Sequence, residues 1–251
     1  MCVFRCIPPA LLLAAACAVP LLVTAARAGA APAKSGDLAA VIDEMNAASA
    51  KFTSAQADLR QEIYTKVVQD TETRIGQIYL ERKSGSVQMG MTLLAAGASA
   101  GAPPSQIFEF ANGKLRMLTT GDSQIDVYNT AGKNQALAET LMSLGFGGSG
   151  ADLEKTFAVT DDGPDTIDGA KVEKLDLVAK DPDIRNKFSR ITIWIDPTRD
   201  VTLKQVLYNA ANGQPTGDTR TVYYTDIRVN QPVNMKPFEL KCKGKCTVIN
   251  H

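Results

Sequence analysis

The sequence predicts a mainly antiparallel α+β fold in which one curved β-sheet dominates. Roughly ten or eleven segments alternate apolar and polar residues with the period of two that is typical of strands. Short turns rich in Gly, Asn, Asp and Pro separate most of these segments, which favours antiparallel neighbours. Helical spacing is confined to one leading helix and one central insertion, so the pattern does not indicate repeated βαβ units.

The first 28 residues are typical of an export signal. Arg5 precedes an apolar run that extends to Thr24, and Ala26-Arg27-Ala28 has the form of an A-x-A processing site. A retained membrane anchor is the alternative, but three prolines in the run disfavour a spanning helix. A lipid anchor at Cys17 is a further alternative, disfavoured because Leu13 stands one place too early for a lipobox. We therefore expect a mature, exported chain of residues 29–251 that forms a single domain, since no linker divides it.

Charge and residue types exclude several functions. The chain has 27 basic and 27 acidic residues, and loss of Arg5 and Arg27 with the leader leaves a formal net charge of −2. No basic stripe is present, so nucleic acid is not expected as a partner. His251 is the only histidine, which excludes a Ser-His-Asp triad and a histidine-based zinc site. We predict no catalytic residues, no metal site and no cofactor.

The cysteines that remain after removal of the leader are Cys242 and Cys246. An exported protein meets oxidising conditions, so we predict a disulfide between them. Residues 145–150, GFGGSG, match the G-x-G-x-x-G pattern of dinucleotide sites. A helical segment rather than a strand precedes them, so we interpret them as a flexible joint between helices.

The leading helix is predicted from Asp37 to Phe52, with Asp37 able to cap its N-terminus and with apolar residues at helical spacing. Alternating residues from Ala55 onward predict the first strand. The small-residue stretch 93–104 predicts a loop, and Asn112-Gly113 predicts a tight hairpin turn. Residues 135–144 return to helical spacing, and strands resume from Phe157 to the end.

The hairpin from Gly76 to Met91 contains the main candidate functional residue. Arg82 lies on an apolar strand face, where its guanidinium requires hydrogen-bond acceptors. If that face lines a cavity, backbone carbonyls of the covering segment are the natural partners; the alternative is that Arg82 ends its strand and reaches solvent. Apolar faces of successive strands predict one cavity, lined by Leu80, Val87, Met89, Met91, Phe108, Phe110 and Met117.

The order of several features resembles the LolA-type periplasmic outer-membrane lipoprotein carriers. These features are the exported leader, the first helix, G-x-I-Y-L-E-R at Gly76–Arg82, the Asn112–Lys114 hairpin, Tyr128 followed by a polar turn and a helix, and the tail D-I-x-V-N-x-P-V-x-x-x-x-F at Asp226–Phe238. The resemblance covers almost the whole mature chain. It implies an incomplete, half-open β-barrel of about 11 strands with a helical lid over an apolar cavity. It also implies that Arg82 is the arginine that latches the lid, and it adds Leu115, Leu137, Leu141 and Met142 to the cavity.

The resemblance implies a periplasmic carrier, monomeric and without enzymatic activity, that takes lipoprotein acyl chains from an inner-membrane release complex to an outer-membrane receptor. Departures from the family pattern leave the cargo open: Lys83 replaces a usual proline, and Val87 and Met89 replace common aromatics. The alternative is a periplasmic binder or sensor of free lipid or glycolipid. An enzyme acting on envelope polymers is a third class, disfavoured because no acid/base constellation is visible.

Overall fold

The structure is a computed structural model that describes residues 37–83, 86–130, 144–242 and 244–251. The expectations for the leader 1–28, including Cys17, and for Leu137, Leu141 and Met142 concern residues outside these ranges. In the ranges described, no helix has both the length and the apolar character needed to cross a bilayer. The same ranges contain no group of three or more His, Cys, Asp or Glu side chains that could hold a metal ion.

Helix α1 spans Leu38–Ser49 and buries one stripe of its surface. The buried residues Val41, Ile42, Met45 and Ser49 lie on one face because they recur at helical spacing. Asp37 occupies the N-cap position, but its side chain makes no capping hydrogen bond, so the expected cap is wrong in this detail. The helix is therefore held mainly by the packing of its apolar face.

The first six strands form an antiparallel meander. Each strand pairs with the next one along the chain, through to the sixth. The predicted turn at Asn112-Gly113 is present, with positive φ angles of 53° and 67° at its two residues. The strands are β1 Ser54–Thr65, β2 Asp70–Lys83, β3 Ser86–Leu93, β4 Gln106–Ala111, β5 Lys114–Thr119 and β6 Gln124–Asn129.

A second antiparallel meander of five strands includes two short helices, one before its first strand and one within it. Helix α2 spans Gly150–Thr156 and is capped by Ser149, whose side chain accepts a hydrogen bond from the Asp152 N–H. Helix α3 is a single turn at Pro182–Arg185. The strands are β7 Phe157–Ile167, β8 Ala170–Ala179, β9 Phe188–Asp196, β10 Val201–Ala211 and β11 Gln214–Val229.

The two meanders join into one sheet because β1 pairs with β11. A 3-10 helix at Lys236–Phe238 and strand β12, Thr247–Asn250, complete the chain. Strand β12 runs parallel to β6 and forms one edge of the sheet, and β7 forms the other. The described sheet thus has twelve strands and is open rather than a closed barrel, which confirms the predicted fold class; the strand pair expected near Phe238 and Val248 is instead this 3-10 helix and β12.

Buried apolar side chains form two clusters. One packs α1 and α2 against β7–β9, with Met45, Leu153 and Ile193 among its members. The other joins strands of both meanders and includes Leu80 and Phe110, which are 2% and 0% exposed. Of the described helices, α1 and α2 therefore pack on the β7–β9 part of the sheet.

Candidate functional site

Arg82 is the penultimate residue of β2 and lies opposite Val87 of β3. Its backbone N–H donates to the Thr53 carbonyl at 2.8 Å, which fixes the end of β2 against the chain that leaves α1. The alternation of the strand puts its side chain on the same face as Leu80. This placement brings a half-buried guanidinium under the C-terminal end of α1.

The Arg82 guanidinium donates to backbone carbonyls of two separate segments. One terminal nitrogen, Nη1, donates to the Ser49 carbonyl at 2.8 Å. The other, Nη2, donates to the Gly147 carbonyl at 2.6 Å and to Ser49 Oγ at 3.3 Å. Hydrogen bonds to a charged group contribute about 1.5–3 kcal/mol each. Arg82 thus joins the last residue of α1 to the glycine-rich segment that precedes α2; its role as a latch stays a prediction.

The glycine-rich segment, residues 145–149, approaches the end of α1 closely because of Gly147. The Ser49 hydroxyl also donates to the Gly147 carbonyl, at 2.9 Å. A Cβ atom at Gly147 would stand 2.3 Å from the Phe52 ring, and the residue has a φ of 71°, which favours glycine. Position 147 therefore requires glycine on both steric and conformational grounds.

A cavity of about 600 Å³ lies beside Arg82. Helix α1, the glycine-rich segment, α2 and strand β9 form its walls, together with Val87 of β3. Its volume is within the usual range of small-ligand sites. The apolar part of the lining consists of Met45, Val87, Leu144, Leu153, Ile193 and Ile195.

Asp200 is the second charged residue of interest in this cavity. It precedes β10, is 1% exposed, and has a positive φ of 53°, a conformation that Asp and Asn tolerate better than most residues. Its backbone carbonyl accepts from the Gly147 N–H at 3.0 Å. The side-chain atom Oδ2 has no hydrogen-bond partner among the described residues.

The electrostatic environment of Asp200 is set by burial and by Arg82. Burial raises the pKa of the Asp200 carboxyl from its ordinary value of 3.8 to about 7, and the positive charge of Arg82 acts in the opposite direction. Both residues line the cavity, and no ion pair joins them among the described residues. The cavity lining therefore combines apolar side chains with a cationic donor and a carboxyl acceptor.

The predicted cavity residues that the structure describes share one face of the first meander, as the strand pairing shows. Leu80 is opposite Met89, which is opposite Phe110, and Phe108 is opposite Met117. Leu80, Met89 and Phe110 lie within the packed core cluster, and Val87, Met91, Phe108 and Leu115 are half-buried against it. Met117 is half-buried, with its sulfur 3.9 Å from Gln106 Nε2. Of these residues, Val87 is the one that lines the 600 Å³ cavity.

Sequence patterns alone do not indicate Ser49, Gly147 or Asp200 as site residues. Gly147 belongs to the segment predicted to be a flexible joint between helices. The burial of Asp200 depends on distant segments that meet around it, so no local pattern signals it. Cys242 and Cys246 are disulfide-bonded near the sheet edge, where Cys242 Sγ lies 3.6 Å from the Ser123 carbonyl, and they are not among the residues that line the cavity.

Comparison with known proteins bears on the fold. No protein-family model and no curated protein matches the sequence. An uncharacterized conserved protein from Thermus thermophilus is similar in structure, with a TM-score of 0.50 and 9% identity over 86% of this chain and 100% of that chain. A chain of the Pseudomonas aeruginosa MucA/MucB complex has a TM-score of 0.45 and 14% identity over 81% of this chain and 61% of that chain.

A LolA superfamily protein from Nitrosomonas europaea has a TM-score of 0.38 and 11% identity, over 80% of this chain and 97% of that chain. At identities this low, structural likeness concerns the fold and not the function. The lower scores of the second and third structures carry no further conclusion. The chain therefore shares its open, mainly antiparallel fold with the Thermus thermophilus protein.

Proposed function

We propose that this protein is a periplasmic carrier that binds the acyl chains of lipoproteins in an apolar cavity and delivers them to the outer membrane. The observation that carries the proposal is the cavity of about 600 Å³ beside a single arginine that bonds backbone carbonyls of two covering segments. The order of sequence motifs that resemble LolA-type carriers also supports it. In this proposal residues 1–28 direct export and are removed.

The physical need for such a carrier follows from the hydrophobic effect. Each CH2 group left in water costs about 0.8 kcal/mol, so an acylated protein does not cross an aqueous compartment unaided. A carrier supplies an apolar surface in place of the membrane. Because the transfers between membrane, cavity and receptor are then nearly balanced, the carrier needs no catalytic group, cofactor or metal. Its partners are an inner-membrane release complex and an outer-membrane receptor, and it acts as a monomer.

The contacts of Arg82 suggest how the cavity is regulated. The guanidinium holds the end of α1 and the Gly147 carbonyl together. An acyl chain that widens the cavity must separate these groups, so the free energy of the hydrogen bonds opposes uptake and favours release. The latch thus keeps the loaded state from becoming too stable to discharge its cargo.

The size of the cavity favours a second candidate function, which is binding or sensing of a free lipid or glycolipid. A volume of about 600 Å³ suits one small ligand without rearrangement, whereas a cargo with several acyl chains requires the cover to open. The two functions differ in the ligand that the protein carries in the cell.

Identification of the copurifying ligand tests the proposal. The full chain, with residues 1–28, is expressed in a Gram-negative host and purified from the periplasm without detergent. Solvent extraction and mass spectrometry are then applied, and the protein is also probed with lipoprotein in a fluorescent fatty-acid displacement assay. Acylated protein in the complex, and displacement by lipoprotein, support the carrier. Free lipid alone supports the second candidate, and failure of every acyl ligand to bind contradicts both.

A further inference from the structure

Arg82 and Asp200 are charged side chains in the lining of the same cavity. We propose that Arg82 and Asp200 recognise the secondary amide of an N-acylated ligand, with the amide carbonyl accepting from Arg82 and the amide N–H donating to Asp200. The inference rests on the proposed function, since it concerns the linkage next to an acyl chain held in the same cavity. It adds a chemical selectivity that the apolar lining alone does not provide.

The first observation is an unpartnered acceptor in a buried position. Asp200 is 1% exposed and lines the cavity, and its Oδ2 has no hydrogen-bond partner in the described part of the chain. Buried polar groups are normally hydrogen-bonded, and a buried group without a partner destabilises the folded state. The Asp200 carboxylate can therefore accept a hydrogen bond from a ligand in the cavity.

The second observation is that a donor and an acceptor face one cavity without neutralising each other. The Arg82 guanidinium has five N–H donors, and its contacts with Ser49 and Gly147 use only some of them. The positive charge of Arg82 influences the Asp200 carboxyl, yet no ion pair between them is found among the described residues. A ligand group that presents both an acceptor and a donor can therefore bind between them.

A secondary amide has this pair of groups, and an ester does not. The ester offers a carbonyl to Arg82 but leaves the Asp200 carboxylate unpaired, and a site built to bind an N–H discriminates strongly against an analogue that lacks it. The other carboxylate in the lining, Asp152, is already engaged, because its Oδ2 accepts from the Ser149 hydroxyl at 2.8 Å. The apolar part of the lining suits the acyl chain.

A matched pair of probes tests the proposal. N-butyl dodecanamide and butyl dodecanoate differ only in N–H against O, and each competes with a fluorescent fatty-acid probe for the mature protein at pH 8. At this pH the Asp200 carboxyl is mainly ionised, since its pKa is about 7, and it then only accepts hydrogen bonds. We expect the amide to bind about tenfold or more tightly than the ester, as for a hydrogen bond to a charged group.

The source of the amide is distinguished by a third probe, a short peptide with an N-terminal dodecanoyl group. Tighter binding of N-butyl dodecanamide than of the ester supports the proposal, and still tighter binding of the peptide supports it for N-acylated proteins. Tighter binding of the peptide alone overturns it, because the matched amide and ester then bind equally. Equal affinity of the ester and both amides overturns it while the carrier function stands. Absence of binding by all probes contradicts the proposed function itself.

Two variants assign the selectivity to Asp200. Asp200→Asn preserves the size of the side chain and its tolerance of a positive φ. The new side-chain amide can donate to an ester carbonyl, so we expect the preference for the amide probe over the ester probe to fall below about threefold. Asp168→Asn is the control, because Asp168 has a φ of 49°, is exposed, and does not line the cavity. It should retain the wild-type preference. An Asp200→Asn protein that is folded by circular dichroism and equally selective would overturn the proposal.

Discussion

Replacement of Asp200 by asparagine should change the pH dependence of stability in a predictable direction. In the folded protein burial raises the pKa of this carboxyl to about 7, whereas in the unfolded chain it returns to near 3.8. Between these values the folded state retains a proton that the unfolded state has released. The unfolding free energy therefore falls as the pH rises from 3.8 to 7, and Asp200→Asn removes this contribution.

The magnitude follows from the difference between the two pKa values. Each pKa unit corresponds to about 1.36 kcal/mol, so the full shift is worth about 4 kcal/mol, and little screening is expected for a group that is 1% exposed. We expect the unfolding free energy of Asp200→Asn minus that of the wild type to increase by about 4 kcal/mol between pH 4 and pH 8. Other titrating groups are present in both proteins, and their contributions cancel in this difference.

Urea unfolding measured by the fluorescence of Trp194, the single tryptophan, provides the assay. Wild type, Asp200→Asn and the control Asp168→Asn are compared at half-unit intervals from pH 4 to pH 8. The control difference should be flat, because Asp168 is exposed and its surroundings do not depend on folding to the same degree. A flat difference for Asp200→Asn as well would show that the carboxyl is not buried without a partner, and would refute the reasoning.

Three further predictions concern the latch, the glycine-rich segment and the disulfide. Arg82→Leu should bind lipoprotein but release it to acceptor membranes at least about tenfold more slowly, because the closed state loses its hydrogen bonds and the cavity gains apolar surface. Gly147→Ala should lower the unfolding free energy by about 1–3 kcal/mol more than Gly97→Ala, since both have a φ of 71° but only position 147 would clash. Protein from the periplasm should contain no free thiol at Cys242 or Cys246, and replacing both by serine should cost no more than about 2 kcal/mol.

The controls separate local from global effects. Arg116→Leu also removes an arginine from a strand, but Arg116 is exposed, pairs with Glu109 and does not line the cavity, so transfer should remain at the wild-type rate. Transfer of lipoprotein by Arg82→Leu at the wild-type rate would contradict the latch and show that Arg82 is an ordinary residue at a strand end. Equal destabilisation by the two glycine variants would contradict the close approach to Phe52, and a mass corresponding to two free thiols would contradict the disulfide.

The local elements were predictable because they depend on residues close together in sequence. Alternation indicated the hairpin from Gly76 to Met91, and Asn112-Gly113 indicated the turn of a later hairpin, since few other dipeptides tolerate two positive φ angles. The pairing of distant strands was not predictable. The parallel pairing of Val248 with Ile125 and the antiparallel pairing of β1 with β11 depend on which segments meet after the chain has collapsed.

The candidate site shows the same division. Arg82 attracted attention because a cation on an apolar strand face is unusual, and its need for acceptors follows from elementary energetics. Asp200 lies in a polar turn sequence, Asp196-Pro197-Thr198-Arg199-Asp200, that is typical of exposed turns. Its burial comes from residues 145–149, which pack over it through the bond from the Gly147 N–H. Such burial is a property of the assembled chain and leaves no mark in the local sequence.

The junction of β1 with β11 also affects how this protein folds. Tyr64 pairs with Thr219 and Ala55 with Val229, so the residues that join the two meanders are roughly 150 or more positions apart. Contacts between such distant residues slow folding, because the loop entropy is lost before the contacts form. During synthesis β1 is complete long before β11, and its unpaired edge is a template for pairing with other chains. For the export proposed above, slow pairing of β1 with β11 is favourable, provided that the edge of β1 is shielded until β11 arrives.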